Sequence, residues 1–242
     1  MPDGPTTFAR FAYPPNELGL CGPDDGELIA AVAEGAPEAE IHEALRGFTG
    51  AYPYLRFIAE QRGVGDPLAS DVVESYWLAH GSAASSDLLD FGNHLRETFL
   101  PRMGPDWMGF ADQLESMPHP THAFHVLAVY PWLGKLREGI VEPSLRILDR
   151  CRVRWGTVEA VDGLGAVVRS APLTWSEGTL SLGAPRSEDV RLYVGLGAGA
   201  GDTVALHWDW ACAVLDDDRL ASLRSDTTRV LAAANTGGLV GS

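Results

Sequence analysis

The apolar residues of this chain change period near residue 150, and that change limits the folds open to it. Before it, bulky side chains recur at three and four positions, as in Val72, Val73, Tyr76, Trp77 and His80, the spacing of one helix face. After it they alternate in short runs split by Gly, Asp and Pro: Val153, Trp155 and Thr157, then Ala166 to Val168, Leu180 and Leu182, Val190 to Val194, Val204 and Leu206. The first pattern predicts helices over residues 27–34, 37–48, 52–62, 67–80, 86–100 and 106–117, after a Pro- and Gly-rich loop that ends at Gly26. Residues 121–149 continue helical, with breaks at Pro131 and Pro143. The second pattern predicts strands and turns, with Asp162-Gly163 as a hairpin and a closing helix over 216–234.

The expected fold class is therefore α+β: an all-α domain over residues 1–149, then a small OB-like β-barrel with a C-terminal helix over 150–242. Charge divides at the same place. Residues 1–149 carry 9 basic and 22 acidic side chains, residues 150–242 carry 9 and 11. With a net charge of -15, the chain would repel a phosphate backbone, so nucleic acid is not an expected partner. The start has neither a cationic region nor an apolar run, and no stretch reaches the roughly 18 apolar residues of a membrane helix; the expectation is a cytoplasmic protein without membrane contact. Cys21, Cys151 and Cys212 are odd in number and widely spaced, which in a reducing compartment predicts free thiols.

Two stretches of the second half carry a resemblance. Cys151-Arg-Val-Arg-Trp-Gly156-Thr-Val158 has a cysteine, a glycine five residues on and an aliphatic residue two further; Gly201-Asp-Thr-Val-Ala-Leu-His207 is followed by Ala211 and by Leu215-Asp216 before the last helix. In order and spacing this resembles the HypC/HupF family of [NiFe]-hydrogenase maturation chaperones, over roughly residues 151–235. The resemblance implies a small barrel that carries iron with cyanide and carbon monoxide ligands, using Cys151 and, with it, His207. It implies as partners the hydrogenase large subunit or other maturation proteins. Four positions depart from the family pattern: Cys151 is internal, Trp155 replaces a proline, and Arg152 and Arg154 stand where small or apolar residues are usual.

Thiolate and neutral imidazole are suitable ligands for such a soft, low-spin iron. Cys151 would open the first barrel strand and His207 would end a later one, so pairing of the two strands would bring them to one rim. Cys212, within an apolar run, reads as core. A second, weaker metal candidate lies in the helical part, where His122 and His125 on one helix face would share an ion with Cys21 or a carboxylate. No phosphate loop, Gly-x-Ser-x-Gly elbow or His-Glu-x-x-His is present. The leading expectation is thus an assembly factor, an accessory protein rather than an enzyme. The alternatives are a metalloenzyme acting on a small molecule through its helical domain, and a metal-free protein-binding scaffold.

Overall fold

The computed structural model describes residues 2–36, 41–81, 91–94, 97 and 120–236. The helices expected over 86–100 and 106–117 fall wholly or largely outside these residues, as does His119. The first departure from expectation comes at once, because α1 (Gly4–Glu17) occupies the stretch read as a loop. The Asp3 side chain caps it by accepting from the Thr6 amide at 2.8 Å, Pro5 sits in the first turn where no amide is missed, and Pro14 and Pro15 fall in its last turn. Proline density was a misleading stop signal. Almost every residue of α1 through Ala12 is buried, so the helix is the centre of the helical layer.

Around it stand α2 (Gly26–Ala33), α3 (Ile41–Arg46), α4 (Tyr52–Arg62) and α5 (Ser70–Leu78). Phe11 of α1 stacks on Trp77 of α5 at 5.1 Å between ring centroids. Gly63 ends α4 in the left-handed region expected of it, with φ 65°. A short helix α6 (His122–Phe124) runs into a π-helical turn (His125–Val129), followed by α7 (Trp132–Arg137) and α8 (Val141–Cys151). Pro143 does not break α8. It lies in the first turn, where its missing N–H leaves no hydrogen bond unmade.

Seven strands follow: β1 (Arg154–Asp162), β2 (Gly165–Ser170), β3 (Leu173–Ser176), β4 (Thr179–Leu182), β5 (Arg186–Leu192), β6 (Thr203–His207) and β7 (Trp210–Val214). Five of them close a barrel in the order β1-β2-β5-β7-β6, with β6 returning to β1, and only the β5–β7 contact is parallel. Counted within the barrel this is 1-2-3-5-4, the connectivity of an OB-type barrel, which fulfils the expected fold class. The Asp162-Gly163 hairpin joins β1 to β2, with Gly163 at φ 61°. β3 and β4 form a separate hairpin whose turn residues Glu177 and Gly178 both have positive φ, as a type I′ turn requires. The side-chain amide of Asn235, near the end of α9 (Asp217–Thr236), bonds both the Leu180 amide, at 2.9 Å, and the Leu180 carbonyl, at 2.8 Å.

Side-chain parity on β6 separates two cores. Val204 and Leu206 point into the barrel with Val158, Val168, Val190 and Leu192. Ala205 belongs instead to the larger core, which runs from Phe8 and Trp77 in the helical layer across Cys151 and Cys212 to Leu231 of α9. His207 shares the Ala205 face. Helix gives way to strand between Cys151 and Arg154, while the packing is continuous across that point. Among the described residues no helix is long and apolar enough to cross a membrane.

Gly156 of β1 is required by close packing. A Cβ there would lie 2.5 Å from Val168 Cγ1 and 2.8 Å from the Arg169 carbonyl oxygen, and a backbone atom cannot yield as a flexible side chain does. Gly156→Ala is therefore expected to lower stability by about 1–3 kcal/mol in a urea titration. A loss below ~0.5 kcal/mol, the range of neutral surface changes, would show that β1 and β2 are more loosely apposed than this.

Candidate metal centre

The β1–β6 pairing sets Arg154 opposite Leu206, which brings the end of β6 beside the start of β1. Cys151 does not open that strand, contrary to expectation; it is the last residue of α8. It still lies next to His207, because the two-residue turn after His207 is fastened to the end of α8. The Trp208 amide donates to the Arg150 carbonyl at 2.9 Å, and the Arg150 guanidinium bonds Asp209 at 2.7 Å. Arg154 adds a hydrogen bond to the Trp208 carbonyl. These contacts hold Trp208 at φ 53°, a conformation rare for a bulky residue.

Sγ of Cys151, a ring nitrogen of His207 and a ring nitrogen of His122 all lie within 4.8 Å of one another. The two sets of candidates read from the sequence thus meet in one place. His122 opens α6, where the Thr121 hydroxyl caps the helix by accepting from the Phe124 amide. All three residues are buried, and the Trp77 ring covers both imidazoles, at 4.4 Å from His122 and 5.4 Å from His207 between centroids. They line a cavity of about 30 Å³, together with His125, Cys21, Tyr76 and Tyr130.

Hydrogen bonding fixes what each ring offers. His207 Nδ1–H donates to the Phe11 carbonyl at 2.5 Å. That leaves the lone pair on Nε2, which is buried and makes no hydrogen bond of ordinary geometry, although the Cys151 carbonyl is near enough to favour protonation. A ring that donates one N–H to a backbone carbonyl keeps its other nitrogen for a ligand, the arrangement of a metal-binding histidine. His122 Nε2–H donates to the Cys151 carbonyl at 2.7 Å, so its lone pair is on Nδ1, where the Tyr76 hydroxyl donates at 3.2 Å.

Burial keeps the rings neutral. It pulls His207 down to about 4 and His125 to about 3, and it lowers His122 well below its usual range, helped by repulsion from His207 and His125. Burial likewise raises the Cys151 thiol, with Cys21 adding to the shift, and pushes Cys21 up to about 11. A metal ion held here would have to displace the Cys151 proton. Ligands of one ion at bonds of about 2.0–2.3 Å stand about 3.3–3.8 Å apart in a tetrahedral set, so a cluster spanning at most 4.8 Å closes with side-chain shifts on the order of an ångström. The donor types, the spacing and the free Nε2 fit a single ion.

Two expected ligands stand back from the cluster. His125 lines the same cavity as His122, with 6.5 Å between ring centroids, but it pairs through Nδ1 with the Tyr54 hydroxyl at 3.1 Å and is not a member of the cluster. Cys21 borders the cavity from the loop after α1. Cys212 is core, as expected, its thiol donating to the Arg10 carbonyl at 3.2 Å. Tyr76, Trp77 and the Phe11 carbonyl had no mark in the sequence as site residues, since nothing in their spacing relates them to Cys151.

The molecule is thus an OB-type barrel whose outer face, covered by helices, encloses a thiol and two imidazoles. The chain belongs to a family of unknown function (DUF6390), whose model matches residues 1–239, helical part and barrel together. No curated protein and no solved structure matches it.

Proposed function

We propose that this is a metal-holding accessory protein that keeps one thiophilic or borderline transition-metal ion between its barrel and its helical layer. The observation that carries this reading is the convergence of Cys151, His122 and His207 on a small cavity, with His207 Nδ1 already donating to a backbone carbonyl and its Nε2 left for a ligand. Three protein ligands leave a further coordination position open, which a protein that passes its ion on requires. The Phe11 and Cys151 carbonyls orient the two imidazoles, and an ion taken up at His122 Nδ1 would displace the Tyr76 hydroxyl.

The resemblance to hydrogenase chaperones supports a narrower form: a cytoplasmic assembly factor for a [NiFe] hydrogenase or related iron centre, delivering to a hydrogenase large subunit or maturation protein. The closed OB-type barrel, with Cys151 and His207 at one end, agrees with that form. Volume bears on the cargo. The cavity of about 30 Å³ has room for a bare ion with a small ligand beside it.

The test is metal analysis and infrared spectroscopy of protein purified without oxygen from its own host. About one ion per chain is expected. Cyanide and carbon monoxide stretching bands would support the iron-delivery form; an ion without such bands would leave the broader reading and remove the narrower. Protein that stays metal-free after reconstitution with Fe(II), Co(II) and Zn(II) would sink both.

A further inference from the structure

The buried cluster needs a route to the surface, and one residue bears on it. Outside the cavity lies a basin of about 460 Å³ between the end of α1 and the start of α2, lined by Asn16, Glu17, Asp24 and Glu27 among others. Cys21 lines this basin and also lines the inner cavity, and it is the single residue common to both. Its position is fixed. The Asn16 side-chain amide donates to the Cys21 carbonyl at 3.0 Å and to the Pro23 carbonyl at 2.7 Å. Gly22, at φ 93°, lies flat against Phe48, where any Cβ would come within 2.3 Å of the ring. Phe48 in turn lines the inner cavity.

We propose that Cys21 is the entry ligand through which a thiophilic cation passes from this basin to the inner site; the proposal rests on the metal-holding reading. Asp24 and Glu27 are exposed carboxylates at the basin, where negative charge gathers cations. Glu17 is already occupied by Arg191 at 3.0 Å and by the Trp210 indole. Without an intermediate ligand, an ion would shed its water in an apolar passage with nothing to replace it. The Cys21 sulfur supplies that replacement: its proton leaves to water in the basin, the thiolate takes the ion, and when Cys151 takes the ion over its own proton passes to the Cys21 sulfur, so that one proton is released per ion loaded. Across the cavity the unpaired His207 Nε2, on a residue 1% exposed, is the acceptor already waiting. Cys21 is not a member of the three-residue cluster, so the role calls for transfer and not for residence.

The experiment mixes metal-free full-length protein with Co(II) in a stopped-flow instrument and follows thiolate-to-cobalt charge-transfer absorption. Cys21→Ser is expected to slow loading by roughly tenfold or more, the scale on which residues just outside a ligand set act, with the final stoichiometry and spectrum unchanged. Unchanged loading overturns the proposal, and so does a lost equilibrium site, which would make Cys21 a resident ligand. Should Cys21→Ser fail to fold, the exposed pair Asp24→Asn with Glu27→Gln keeps the question open to test: loading should slow several-fold and lose salt sensitivity, and an unaltered rate overturns the proposal. Wild-type protein that takes up no Co(II) removes the metal-holding reading itself, whereas wild-type uptake with a fast variant removes only the entry role.

Discussion

Alanine at position 151 is expected to empty the site while leaving the fold in place. Residues that merely orient a metal ligand are worth about 10- to 100-fold in affinity, so loss of the only thiol in the cluster should cost at least ~100-fold, read by competition with a chelator. Stability of the metal-free protein should fall by only about 1–2 kcal/mol, the cost of deleting one small buried group. Cys212→Ala is the matched control. That thiol is also buried, yet it bonds the Arg10 carbonyl and takes no part in the cluster, so its loss should lower stability by a similar amount and leave metal affinity alone. If the protein is a delivery factor, Cys151→Ala should also abolish client activation. Full metal content in Cys151→Ala would end the assignment of Cys151 as a ligand.

Glu188→Ala should be the most damaging single change to stability. The Glu188 carboxylate receives the Arg150 guanidinium at 2.8 Å, the Arg154 guanidinium and the Ser170 hydroxyl. Arg154 is 1% exposed, so removing its partner strands a charge where water cannot reach it. A broken buried pair of this kind costs about 3–5 kcal/mol. Replacing Arg154 and Glu188 together by leucine should cost less than the single change, because no charge is left behind. Arg150 and Arg154 also grip the Trp208-Asp209 turn next to His207, so metal affinity should fall with stability in Glu188→Ala. Urea titration of the three proteins decides the matter: a loss under ~1 kcal/mol in Glu188→Ala would mean that Arg154 finds other partners.

Arg152 and Arg154 show why only part of the molecule was legible. As departures from a chaperone-like pattern they had no rationale in the sequence; in the fold Arg152 pairs with Asp149 and Arg154 with Glu188, each partner brought in by backbone geometry. Strands with one face in the barrel and one outside wrote an alternating pattern, and those were found. β7 was not, because Trp210 to Ala213 are buried on both faces and the run carries no alternation. α1 was hidden by prolines that fall only in its terminal turns. For the site, strand pairing was enough to bring Cys151 toward His207. The arrival of His122 depends on helix packing, which leaves no periodic trace, and so two candidate sites were read where the chain builds one.

Closure of the barrel also constrains how anything else can recognise this protein. A sheet with free edges can capture a neighbour by lending it backbone hydrogen bonds, a mode indifferent to most side chains and a common origin of unwanted association. Here the five-strand ring has spent those groups on itself, and at Leu180 the Asn235 amide takes the place a further strand would have filled. Any partner that met the ring itself would therefore be chosen through side-chain chemistry at the surface, in residues that can change without disturbing the ring.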